Sequence, residues 1–143
     1  MAAKYIFDTN IYIRCMLDRD FSLQHADRYT RYLPSTFFSS VVVQELVVVC
    51  TDDLALRRVQ NFFLPFERVR RIVNPGYDDW KEAGLVAVRI GVRRPDLRSK
   101  KVGLIHDIIL ALSCRRIGAV LVTLNSQDFE LIRRFVRFQF RDF

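Results

Sequence analysis

Short runs of strand-forming apolar residues alternate with longer segments of helical spacing along the chain, and few architectures accept that alternation. Tyr5-Ile6-Phe7 opens the series and stops abruptly at Asp8. Helical spacing follows over 10–19 and again over 21–33, closed by Pro34. The β-branched run 36–50 is too long for one ordinary strand. It divides into a strand over 36–39 and a helix over 41–50, with Ser40 as N-cap. A helix is expected over 52–69, with Pro65 interrupting its end, then a strand over 71–74 and a turn at Pro75-Gly76. The segment 78–92 has helical spacing, with Trp80, Leu85 and Val88 on its apolar side. Residues 93–103 read as a polar, strongly basic loop. A helix over 104–117 stops at Gly118. A buried strand over 119–123, a short helix over 127–134 and an alternating strand over 136–140 complete the series.

Strands that alternate with helices predict an α/β fold, a mainly parallel sheet of about five strands covered by helices on both faces. Such sheets bind ligands beyond the carboxyl ends of their strands, where the strand order reverses. Asp8 follows the first strand directly, and Thr123, Asn125 and Asp128 follow the fourth.

With 143 residues, half of them hydrophobic, the chain is expected to form one domain, 1–143, whose core needs no disulfide or metal staple. Twelve Phe against five Gly and four Pro exclude a disordered chain. Cys15, Cys50 and Cys114 lie far apart in apolar segments and lack CxxC spacing, which argues against a disulfide framework or a zinc site. They read as buried thiols in a reducing cytoplasm. His25 and His106 are too few for a histidine-rich metal site. The chain enters an apolar strand at once, so no secretory signal is expected. The longest nearly uncharged stretch, 34–51, contains Gln44, Glu45 and three serines, which a membrane span would not tolerate. A cytoplasmic, membrane-free protein is the expectation. The balance of 23 Lys and Arg against 16 Asp and Glu, net +7, calls for an acidic partner, with nucleic acid the obvious candidate.

Four acids stand in apolar or strand-terminal surroundings. Asp8 ends Tyr-Ile-Phe, Glu45 lies within Val-Val-Val-Gln-Glu-Leu-Val-Val-Val, Asp107 precedes Ile-Ile-Leu-Ala-Leu, and Asp128 lies just past a strand. A carboxylate beside so much apolar surface is costly unless a cation meets it. Clustered carboxylates without interleaved basic residues suit hard divalent cations, which take oxygen ligands and assist phosphoryl chemistry. Each acid alone has a simpler reading. Asp107 suits the first turn of a helix, Asp8 and Asp128 suit helix caps, and Glu45 suits a partnership with a core arginine. All four together in one basic chain favour the metal reading.

Phe7-Asp8-Thr9-Asn10, Ser39-Ser40-x-x-x-x-Glu45-Leu46, His106-Asp107-Ile108-Ile109-Leu110-Ala111 and Thr123-x-Asn125-x-x-Asp128-Phe129 together resemble the PIN domain. Their order and spacing are similar to VapC-type toxins of bacterial and archaeal toxin–antitoxin pairs. The resemblance implies a three-layer α/β/α sandwich with the acids gathered at one end of a parallel sheet. It implies a magnesium- or manganese-dependent endoribonuclease acting on transfer or ribosomal RNA. By motif match Asp8, Glu45 and Asp107 are the metal ligands and catalytic acids, and Asp128 is a fourth that varies more among relatives. Asn10, Thr123 and Ser39 match polar residues that support the pocket. The resemblance further implies a VapB-like antitoxin whose C-terminal segment blocks the acids with a basic side chain, and homodimerisation. Phe135, Phe138, Phe140 and Phe143 fit core or dimer surface, and His106 is assigned no role.

Two rivals remain. One is a non-catalytic RNA- or partner-binding module of the same fold. The other is a phospho-receiver, disfavoured because Asp8 has no acidic neighbour after its strand and no lysine follows Lys101. Arg93, Arg94, Arg98, Lys100 and Lys101, just before Asp107, are expected to contact the RNA backbone. Changing several of them to Ala should weaken RNA binding and flatten its dependence on salt; an unchanged salt slope would sink that assignment.

Overall fold

The computed structural model describes residues 2–143. Five parallel strands, β1 (Lys4–Phe7), β2 (Thr36–Ser39), β3 (Ile72–Val73), β4 (Ala119–Thr123) and β5 (Gln139–Asp142), form one sheet in the order β3-β2-β1-β4-β5. Seven α-helices join them among the described residues: α1 (Thr9–Leu17), α2 (Arg19–Tyr32), α3 (Ser40–Val48), α4 (Asp53–Arg68), α5 (Tyr77–Arg93), α6 (Ile105–Ile117) and α7 (Ser126–Arg133). From β1 the chain builds outward to β2 and β3, then returns to lay β4 on the other side of β1. The order therefore reverses between β1 and β4, where an open α/β sheet leaves a crevice.

Alternation along the strands sends side chains to both faces. On one face Phe7 meets Tyr29 and Tyr32 of α2 edge-on, with centroids 5.9 and 5.3 Å away. Beside it Phe38 packs on Tyr12 of α1, at 4.6 Å, and on Phe66 of α4, at 5.3 Å. On the other face lies α6, whose residues from Ile108 to Cys114 are all buried. A helix apolar on every side must be covered on every side. Accordingly α6 touches β1, β4 and β5 as well as α5 and α7. Phe138 is buried, and Phe135, Phe140 and Phe143 pack against the core, so this aromatic group belongs to the interior.

Local expectations fail in six places, the last strand among them: it runs over Gln139–Asp142 rather than 136–140, because Val136 N still bonds Ile132 O at the end of α7. The N-cap of α3 is Ser39, whose hydroxyl accepts from Val41 N at 3.2 Å, rather than Ser40. The first helix ends at Leu17, because Asp18 turns extended and caps α2 through Phe21 N. Pro65 does not interrupt α4, since buried Phe63 and Phe66 on either side of it keep the last turn helical. The basic segment is a 3-10 helix from Pro95 to Leu104 rather than an open loop, opened by Pro95 and a two-pronged Arg94–Asp96 pair at 2.9 and 3.0 Å. In α5 the buried side carries Ala83, Val86, Ala87, Ile90 and Gly91, while Trp80, Leu85 and Val88 stay exposed. A Cβ at Gly91 would stand in ordinary contact with the Lys101 side chain, 3.5 Å away, so this face lies close against the basic segment.

Arg70 ends α4 with φ of 57°, a left-handed residue that glycine usually supplies. Arg71 N donates to Phe66 O at 2.8 Å and Arg70 N to Glu67 O at 3.1 Å, the two bonds of a Schellman ending. Arg70→Gly should therefore stabilise the fold by about 0.5–1 kcal/mol, read as a higher urea midpoint at unchanged slope. A lower midpoint would show that the Arg70 side chain contributes more than its backbone costs.

Candidate functional site

The site grows from the end of β1. Asp8 N extends the β1–β4 ladder to Val122 O at 2.9 Å, which fixes the residue in the crevice where the strand order reverses. One carboxylate oxygen, Oδ1, accepts from Thr9 N at 2.8 Å and caps α1. The other, Oδ2, accepts from Thr123 Oγ1 at 2.8 Å, and Thr123 Oγ1 accepts in turn from Asn125 N at 2.9 Å. Asp8 is only 6% exposed. Burial pushes its carboxyl above the ordinary range, the Thr123 and Thr9 hydrogen bonds oppose this, and the charges of Glu45 and Asp128 add to it.

The other three acids converge on Asp8 from three helices. Asp107 lies in the first turn of α6, half-buried, and its carboxyl is pushed up to about 7. Burial is the main cause, and the charges of Asp8, Asp128 and Glu45 follow. Glu45, on α3, accepts from Thr9 Oγ1 at 2.8 Å. Its second oxygen stands 3.7 Å from His106 Nδ1, and the His106 ring lies 6.5 Å from that of Trp80. Asp128, in the first turn of α7, accepts from Asn125 Nδ2 at 2.7 Å.

Several simpler readings can now be decided. Asp8 does cap α1, but with one oxygen only. Asp128 does not cap α7, because Asn125 holds that position. Glu45 has no core arginine, and among the described residues no Lys or Arg forms an ion pair with any of the four acids. Of the supporting residues, Thr123 holds Asp8 as expected. Asn10 accepts from Leu124 N at 3.3 Å and so steadies the turn after β4 rather than an acid. Ser39 caps α3.

Sequence reading missed three contributors. Thr9 ties Glu45 to the end of β1 and sits inside the quoted Asp8-Thr9-Asn10 string, so its hydroxyl was available as a signal. Asn125 likewise precedes Asp128 at hydrogen-bonding spacing. His106 was set aside, yet it faces Glu45; nothing in an i, i+1 pair with Asp107 announces that. Of the basic residues, Arg94 is held by Asp96, while Arg93, Arg98, Lys100 and Lys101 have no carboxylate partner among the described residues.

The donor set is entirely oxygen from four carboxylates, two of which burial and mutual repulsion hold above their ordinary ionisation range. That chemistry fits a hard divalent cation. The carboxylates are not drawn in to a common point: among the described residues no three acid, His or Cys side chains stand at ligating geometry. Asp8, Glu45 and Asp128 each accept from a local donor, Thr123, Thr9 or Asn125, and Asp107 has no side-chain donor among the described residues. Among the described residues no helix is long and apolar enough to cross a membrane.

The family model of the PIN domain matches residues 5–134. No curated protein matches the chain significantly. Among solved structures, the chain is similar to one in DNA-bound VapBC from Salmonella typhimurium. That match has 24% identity and a TM-score of 0.60, covering 99% of this chain and 98% of the other. Similar too are a chain of VapBC-1 from nontypeable Haemophilus influenzae, with 21% identity, 96% of both chains and a TM-score of 0.58, and a chain of VapBC2 from Rickettsia felis bound to a promoter DNA fragment. The last has 20% identity, 97% and 98% coverage and a TM-score of 0.58. At these identities the likeness shows a shared fold.

The raised Asp107 carboxyl has a consequence for stability. The folded chain keeps a proton that the unfolded chain releases above about 3.8, so stability falls as pH rises from there to about 7. Asp107→Asn should therefore stabilise the protein at pH 8 by about 1–3 kcal/mol and leave it unchanged at pH 3, compared by urea midpoints without divalent cation. Equal effects at both pH values would exclude this account.

Proposed function

The chain belongs to the PIN domain family, and from that membership and the buried acids we propose that it is a metal-dependent endoribonuclease, the toxin of a toxin–antitoxin pair. The observation that carries the reading is the convergence of four carboxylates, without a lysine or arginine partner, on the crevice between β1 and β4. Asp8, Glu45 and Asp107 would hold one or two magnesium or manganese ions, and Asp128 would assist directly or through water. When bound, such an ion supplies an activated water and offsets charge on the phosphoryl and leaving oxygens.

The chain's own groups position the rest. Thr123 and the α1 N-terminus keep the Asp8 oxygens in one orientation. Thr9 and His106 bracket Glu45, and Asn125 steers Asp128. Because the acids alone repel RNA, cations around them must draw the strand in. Arg93, Arg98, Lys100 and Lys101 are suited to its phosphates, and Arg94 would first have to leave Asp96.

The complexes in which similar chains were solved support a VapB-like antitoxin as partner, its basic side chain satisfying the acids when the enzyme is silent. The exposed apolar residues Trp80, Leu85, Val88 and Val92 on α5 support a second copy as another partner. The cytoplasm is the proposed compartment.

The test is cleavage of purified transfer and ribosomal RNA with magnesium or manganese. Discrete cuts are expected, lost with chelator and with Asp8→Asn, and reduced about 10–100-fold by Thr123→Val, whose effect acts through Asp8. Intact RNA from a folded protein with both metals and several RNA pools would favour the non-catalytic module instead.

A further inference from the structure

A second constellation lies on the face of the sheet that α2 covers only in part. Tyr5 of β1 and Tyr32 of α2 form its floor, ring edge to ring face, with centroids 4.7 Å apart. Arg28 and Arg31 of α2 and Arg141 of β5 stand around them, and the cavity so enclosed measures about 520 Å³. None of these three guanidinium groups forms an ion pair among the described residues. The one neighbouring strand carboxylate, Asp142, points away and accepts from Ser126.

Two of the arginines are held by rings instead. Arg141 lies over Tyr5 at 5.3 Å and Arg28 over Phe143 at 5.7 Å. A guanidinium stacked on a ring keeps its five in-plane donors free, which is the arrangement that receives a phosphate in a fork. Arg31 is tethered lightly, Nε to Asp27 O at 3.4 Å. Three like charges around one cavity repel unless an anion enters it.

We propose that this cavity is a phosphate-binding subsite for a single-stranded nucleic acid, with Arg28, Arg31 and Arg141 holding backbone phosphates beside the tyrosine floor. The tyrosine rings favour RNA over an acidic peptide, because a base stacks on a ring while its phosphate meets a guanidinium. Phe143, which carries Arg28, donates N to Thr123 O at 3.2 Å, and Thr123 holds Asp8. Tyr5 lies three residues before Asp8, so strand alternation turns the two to opposite faces, and Ala3 and Ser35 place the cavity near the amino ends of β1 and β2. The cavity would therefore hold phosphates several nucleotides away from the scissile one, on an RNA that passes around the sheet. In naming RNA the inference rests on the nuclease reading, and the cavity is separate from the basic segment before Asp107.

The experiment is fluorescence anisotropy of a 5′-labelled mixed-sequence single-stranded RNA in chelator, where no strand is cut. The wild type is compared with Arg28→Ala/Arg141→Ala, with Arg31→Glu, and with Arg98→Ala/Lys100→Ala as a second basic locus. The first double variant should bind about tenfold more weakly. The slope of log K against log salt should become shallower by about 1.4, two phosphate contacts at roughly 0.7 each. Arg31→Glu should weaken binding at least as much as the loss of one contact. Wild-type affinity and slope in both pocket variants would overturn the subsite. So would binding of an Asp-rich peptide that is lost in the double variant while RNA affinity is kept. A wild type that binds RNA through the pocket yet cuts none with added metal would leave the subsite standing and remove the nuclease reading.

Discussion

Burial of the Asp8 carboxylate where β1 meets β4 is the constraint on which the rest of the site depends. An anion withdrawn from water without a cationic partner costs several kcal/mol unless hydrogen bonds replace the lost water. Here one oxygen is satisfied by the N-terminus of α1 and the other by Thr123 at the end of β4. Both donors are placed by strand register, with Phe7 opposite Val122. A slip of β1 by one residue against β4 would turn Asp8 to the other face of the sheet, away from Thr123. The two halves of the sheet are thus locked together at the point where the chemistry is gathered.

The other acids inherit this arrangement and strain against it. Asp107 stands half-buried at the head of α6, the most deeply buried helix, where burial and the nearby charges both raise its carboxyl. Glu45 is fixed through Thr9, the residue next to Asp8, and Asp128 through Asn125, which also bonds Thr123. One short network of threonines and an asparagine therefore sets three of the four carboxylates. Such a cluster is a cost to the folded chain that only a bound cation or a basic group from a partner would offset.

Charge is divided accordingly. The net +7 does not reside near the acids, and several arginines outside them lack carboxylate partners. Aromatic rings take the place of counter-ions there: Tyr5, Phe37 and Phe143 carry Arg141, Arg71 and Arg28. Rings orient a guanidinium without neutralising it. The surface thus stays basic and ordered around an acidic crevice.

Much of this was legible residue by residue. Periodicity placed four of the five strands, because short apolar runs bounded by helical spacing leave little freedom, and it set the last one three residues early. The α/β class and the position of Asp8 and Thr123 beyond strand ends followed from it. Four carboxylates in apolar surroundings marked the candidate site for the same reason, since an unpaired charge there is too costly to be incidental. The face of α5, the facing of His106 toward Glu45, and the gathering of Arg28, Arg31 and Arg141 around Tyr5 were not legible. Each depends on residues distant in the chain: the 3-10 segment and α6 on which α5 packs, the approach of α6 to α3, and the partial cover that α2 gives the sheet. Local sequence determined the elements and the chemistry of their ends, because propensity and period act over a few residues. Which side chains meet across elements was decided only by packing, because close fit is a property of the assembled layers.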